Sequence, residues 1–177
     1  MGSATSPAAT ELFWVKSQPQ GRYDLVLNNE ILGWLQHGDY WNSESRAHIA
    51  GQNWLFQRPG TALGSTEILQ DDEARVRLAG YKSHWGGGGT LTLSDGSRFL
   101  LSCTGVWRHI WSLLDENGEP VLRIEPHTGK VFLSHGQSIN LFRKDEKRTL
   151  LLLAFVWHEI LQSQDEAEMV AVMNATS

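Results

Sequence analysis

Leu150–Leu161 reads Leu-Leu-Leu-Leu-Ala-Phe-Val-Trp-His-Glu-Ile-Leu, and it is the one long helical run in a chain otherwise patterned as short strands. Its apolar residues circle the whole helix, so the helix must be enclosed by lipid or by protein. At ~1.5 Å per residue the run spans roughly 18 Å, short of a ~30 Å hydrocarbon core. His158 and Glu159 lie inside the run, and six charged residues from Arg143 to Arg148 precede it. The sequence therefore predicts no transmembrane segment and a buried core helix over about residues 147–162. Its length matches that of a typical strand, so it can lie inside a closed sheet.

Outward from the helix, turn signals recur along the chain at intervals that suggest an all-β barrel or sandwich. Tyr23–Leu27 and Ile31–Gln36 flank Asn28-Asn29-Glu30, a tight hairpin. Arg46–Ala50 and Asn53–Gln57 flank Gly51-Gln52, and Ser65–Leu69 and Ala74–Leu78 flank Gln70–Glu73. Thr90–Leu93 and Arg98–Ser102 flank Ser94-Asp95-Gly96-Ser97, and Ile110–Leu114 and Val121–Glu125 flank Asp115-Glu116-Asn117-Gly118. Asp-Gly and Asn-Gly readily supply the positive φ such turns need. With Lys130–Leu133 this makes eleven strands, several alternating between a dry and a wet face. So many strands in an open sheet would leave exposed edges, and closure removes them. The predicted fold is mainly β: a closed or nearly closed antiparallel barrel of about 11–12 strands around a carboxy-terminal helix. The predicted domain plan is a leader over residues 1–10, one barrel over 11–164, and a polar tail over 165–177.

Trp54–Gly60 (W-L-F-Q-R-P-G), Leu91–Phe99 (L-T-L-S-D-G-S-R-F), Trp111–Gly118 (W-S-L-L-D-E-N-G) and the apolar helix carry a family likeness. Over about Phe13–Gln162 the chain resembles the tubby carboxy-terminal-like superfamily, which includes LURP-one-related proteins and phospholipid scramblases. The resemblance implies a roughly twelve-stranded barrel wrapped around a hydrophobic helix, with lipid recognition as the associated activity.

Composition narrows the function classes. With 177 residues and a net charge of −5, the chain can bury one sizeable core but does not bind nucleic acid or anionic membranes by bulk electrostatics. Cys103 is the sole cysteine, which excludes an internal disulfide framework and a Cys-rich zinc site. Its strand setting predicts a buried, inert thiol. Met1–Thr10 shows neither a basic start nor an apolar stretch, so no signal peptide and a cytoplasmic location are expected, with a peripheral membrane position allowed. Gly2 and Ser6 fit the loose myristoylation pattern, though a small-residue leader gives the same pattern.

Candidate chemistry is sparse. Eight tryptophans (Trp14, Trp34, Trp41, Trp54, Trp85, Trp107, Trp111, Trp157) suit a ligand pocket, but they suit better the wedging of wall against helix. Gly86–Gly89 lacks the Lys-Ser/Thr of a phosphate loop and the helix of a dinucleotide loop, and reads as a hairpin connection. The histidines (His37, His48, His84, His109, His127, His135, His158) show no metal-ligand spacing, and neither a metal nor a cofactor is expected. His158 and Glu159 could form a buried acid–base pair, but a place near the helix's exit from the barrel fits their polarity better. Asp165, Glu166 and Glu168 lack EF-hand spacing. No nucleophile elbow occurs, which argues against an enzyme.

Arg143, Lys144, Lys147 and Arg148 form the basic cluster, placed where they could receive an anionic lipid headgroup. The expected function is a non-enzymatic binding or interaction module, with an anionic phospholipid or a protein as partner. The alternatives are a lipocalin-like carrier of a small hydrophobic ligand, and an enzyme whose site is assembled from distant His and Asp/Glu residues.

Overall fold

A computed structural model describes residues 11–38, 44–59, 64–85, 87–105, 109–133 and 146–175. The first six strands are β1 (Leu12–Gln18), β2 (Arg22–Leu27), β3 (Glu30–Gln36), β4 (Glu44–Ile49), β5 (Gln52–Gln57) and β6 (Ser65–Gln70). The second six are β7 (Arg77–Ser83), β8 (Gly89–Leu93), β9 (Arg98–Thr104), β10 (Ile110–Leu114), β11 (Pro120–Glu125) and β12 (Lys130–Leu133). One helix, α1 (Glu146–Ala175), follows them. Each strand pairs antiparallel with its sequence neighbours, and β1 pairs with β12 to close the barrel.

The turns are built from the residues that favour them. Asn28 and Asn29 have φ of 48° and 70° between β2 and β3, and Gly96 and Gly118 have φ of 88° and 82°. These values are the left-handed backbone that tight hairpin turns require. At the closing seam, Trp14 N–H donates to the Gly129 carbonyl at 2.8 Å. Gly129 has φ +69°, and a Cβ there would stand 2.0 Å from the Trp14 carbonyl oxygen. Only glycine permits that approach.

Alternation sets the two faces of the wall. Leu12 and Trp14, Leu25 and Leu27, Ala47 and Ile49, Leu113, and Leu122 and Ile124 point into the core, and α1 fills the space they enclose. Trp157 stacks on Trp14 of β1 at 5.7 Å and meets Tyr23 of β2 edge-on. Phe155 meets Tyr81 of β7, His158 stacks on Phe56 of β5, and Arg148 lies over Phe99 of β9. Contacts on so many staves require a helix that threads the barrel, and every residue from Leu150 to His158 is buried. Its all-round apolarity is the sequence counterpart of a wall on every side.

Three expectations shift. The chain gains β1, which the hairpin signals did not mark. The strand expected at Ala74–Leu78 begins instead at Arg77: the Asp72 carboxylate accepts the Ala74 and Arg75 N–H groups, Arg75 takes φ +45°, and Val76 is exposed. The stretch expected as a polar tail is helical through Ala175, because Gln, Glu, Ala and Met continue the helix with no Gly or Pro to end it. Among the described residues no helix is long and apolar enough to cross a membrane.

Candidate functional site

Strand direction gives the barrel two unlike ends. The helix begins at the base, where Arg148 Nη1 lies 3.7 Å from Asp95 in the β8–β9 turn. It leaves at the mouth, among the residues that end β3, β5 and β7 and begin β4, β6 and β8. Three wall elements grip it there. Thr66 Oγ1 of β6 donates to Glu159 Oε1 at 2.7 Å. Arg58, just past β5, donates to Gln162 Oε1 and to Glu166 Oε1. His37, just past β3, holds Asp165 Oδ2 through Nε2 at 2.9 Å.

The His37 contact extends into a chain of three side chains. The Asp165 carboxylate accepts from Nε2–H, which leaves Nδ1 facing Ser45. Ser45 Oγ lies 3.2 Å from Nδ1 and also accepts the Gly38 N–H at 3.1 Å. These are the residue types of a nucleophilic triad, but Ser45 is completely buried. A nucleophile must reach a substrate carbonyl, and this one cannot. The chain is a strut between helix and wall.

On the adjacent side of the helix, Glu159, Gln162, Ser163 and Glu166 fall at i, i+3, i+4 and i+7 and share one face. That face borders a cleft of about 240 Å³ whose wall includes Thr66, Tyr81, His84 and Trp111. Gly87 and Gly88 line one side of it; Gly88 has φ +74°, and a Cβ there would stand 2.1 Å from the Leu101 carbonyl oxygen. The Glu159 side chain is 12% exposed. Burial raises its pKa to about 7, opposed by the Thr66 hydrogen bond and by Arg58, and assisted by Glu166. Burial also raises the Tyr81 phenol, with Glu159 and Glu166 adding to it. The carboxyl is therefore a group that both donates and accepts near neutral pH.

His158 and Glu159 do sit at the exit, yet they do not form a close pair: His158 Nε2 lies 3.9 Å from Glu159 Oε1. His158 is 1% exposed, and its Nδ1 has no hydrogen-bond partner. Burial lowers its pKa to about 3, with electrostatic contributions from His37 and Arg58. It is a neutral core residue.

The basic cluster is placed apart from this cleft. Lys147 and Arg148 lie in the first turn of α1 at the base, both exposed, and Arg148 is shared between Asp95 and the Phe99 ring. Arg143 and Lys144 lie outside the described residues, as do Gly2, Trp41, Gly86, Trp107 and His135. Four of the described tryptophans (Trp14, Trp54, Trp111, Trp157) are in the core, in the wedging role, while Trp34 packs under Arg22 and Trp85 is fully exposed. Cys103 is half-buried rather than buried; it faces His109 at 3.7 Å, and partial burial raises its thiol pKa. Among the described residues no three His, Cys, Asp or Glu side chains converge as a metal site. Residue-type motifs passed over the cleft, and the helical spacing from Glu159 to Glu166 was the signal that could have found it. No protein-family model, curated protein or solved structure matches the chain.

Proposed function

We propose that this protein is a non-enzymatic binding module whose ligand is received at the mouth of the barrel, beside the emerging helix. The observation that carries this is the setting of Glu159: a carboxyl fixed by Thr66 on the wall of an open polar cleft. Fixed polar groups around a concave surface are what specific recognition uses. The helix fills the lumen, which is the space a lipocalin-like carrier gives its ligand, and this favours the rim. The barrel-and-helix plan is also what supports the tubby-like reading, with a cytoplasmic or membrane-peripheral protein as its setting.

Headgroup recognition by Arg143, Lys144, Lys147 and Arg148 has weaker support. Arg148 is already opposite Asp95, and the base turns also carry Asp71, Asp72, Glu73, Asp115, Glu116 and Glu119, which repel anions. One observation favours an enzyme as the second reading: a Glu159 carboxyl titrating at about 7 has the pKa of a general acid or base.

The test is amide chemical-shift mapping of a small-fragment library. Hits are expected to perturb Ser65, Thr66, Gln162 and Ser163. Hits confined to the base or the outer wall would overturn the assignment. Turnover of any cleft-binding fragment, abolished by Glu159→Gln, would decide for the enzyme.

A further inference from the structure

The mouth cleft selects among ligand chemistries by its size, its charge and its hydrogen-bonding groups. At about 240 Å³ it falls below the ~300–1,000 Å³ of pockets that enclose drug-sized ligands. A cleft of this size suits a solute on the scale of a single sugar ring.

Among the described residues, Arg58, Glu159 and Glu166 at the cleft have partners within the protein. Arg58 is taken up by Gln162 and Glu166, so an anionic ligand finds no cation without a partner at Arg58. Glu159 is held by the Thr66 hydroxyl, and its raised pKa leaves much of it uncharged near neutral pH, so an ammonium group gains little there. What the lining does offer is neutral and two-sided. Ser65, Ser83 and Ser163 contribute hydroxyls, each able to donate and accept, and a sugar hydroxyl has the same dual character. Tyr81 and Trp111 also border the cleft, but both are buried in the core, so the polar groups are what a ligand meets.

We propose that the mouth cleft binds a neutral polyhydroxylated solute of monosaccharide size. Glu159, Ser65 and Ser163 hydrogen-bond its hydroxyls. This rests on the mouth being the binding site, and the experiment separates the two claims.

The full chain labelled with nitrogen-15 would be titrated with glucose, galactose, mannose and N-acetylglucosamine, and in parallel arms with methylammonium and inorganic phosphate. Saturable shifts at Ser65, Thr66, Gln162 and Ser163 from at least one sugar are expected. Ser163→Leu, an exposed position whose larger side chain intrudes on the cleft, should abolish them. Ser65→Ala should weaken the same sugar several-fold. Unchanged amide spectra away from the mouth establish that both variants are folded. If methylammonium or phosphate shifts these amides and no sugar does, the ligand class is wrong while the site stands. If no arm shifts them, both the ligand class and the site fail. Sugar binding that survives Ser163→Leu undiminished also overturns the proposal.

Discussion

Replacing Glu159 by Gln should reshape the stability of the protein as a function of pH, and the shape follows from two neighbouring helix residues. Burial raises the Glu159 carboxyl from 4.5 to about 7. Between those values the folded state holds a proton that the unfolded state has lost, so stability falls as pH rises. At ~1.4 kcal/mol per pH unit the loss is about 3 kcal/mol, complete by about pH 7. His158 acts in the opposite sense. Burial lowers it from 6.5 to about 3, so below 6.5 the unfolded state binds the extra proton and stability is lost as pH falls, by up to about 5 kcal/mol near pH 3. Between pH 4.5 and 6.5 the two slopes oppose each other, and the wild type should be nearly flat there. Glu159→Gln keeps an acceptor for Thr66 and removes one slope. Its stability should therefore climb through that window and exceed the wild type above pH 7 by about 2 kcal/mol, after ~1 kcal/mol for a weaker hydrogen bond to Thr66. Urea unfolding followed by tryptophan fluorescence from pH 4 to 9 measures this. Wild-type and variant curves running parallel across the range would refute the claim that folding raises the pKa of this carboxyl.

Other expectations are simpler. His158→Leu removes the buried imidazole and leaves the Glu159 slope alone, so the variant should gain about 3 kcal/mol from pH 6.5 down to 4.5, where the wild type is nearly flat, as read by the same urea series. Trp157→Ala empties the space between Trp14 and Tyr23 and should cost about 3–5 kcal/mol in urea unfolding. Gly129→Ala forces a Cβ against the Trp14 carbonyl at positive φ. It should cost about 2 kcal/mol or more, with faster amide exchange at Trp14 than elsewhere in β1.

How much of this was legible in the sequence differs from element to element. The hairpins at Asn28-Asn29, Asp95-Gly96 and Asn117-Gly118 were readable because the turn residues themselves tolerate the backbone conformation. The strand β1 was not, because no such signal sets it off: it is held between β2 and β12, a pairing that exists only when the barrel closes. The start of β7 was misplaced because Ala74–Leu78 alternates like a strand, yet Asp72 captures two of its N–H groups first. Local periodicity cannot report a competing side-chain cap.

The helix divides along the same line. Apolar residues on every side of Leu150–Leu161 fixed that it would be enclosed, since an exposed face of that kind would be unstable in water. Its amino-acid types do not specify which wall meets which face. His37 and Asp165 are 128 positions apart, and Thr66 and Glu159 are 93 apart. These pairs meet because twelve strands close around the helix and bring the end of β3 and the start of β6 to its exit. The sequence by itself determined most of the barrel strands, the tight turns and the burial of the helix, all of which follow from nearest-neighbour propensity and apolar periodicity. Only the tertiary structure decided the cleft. Its polar groups are recruited from distant segments, and the desolvation that sets the Glu159 carboxyl near neutrality is produced by the packed walls around it.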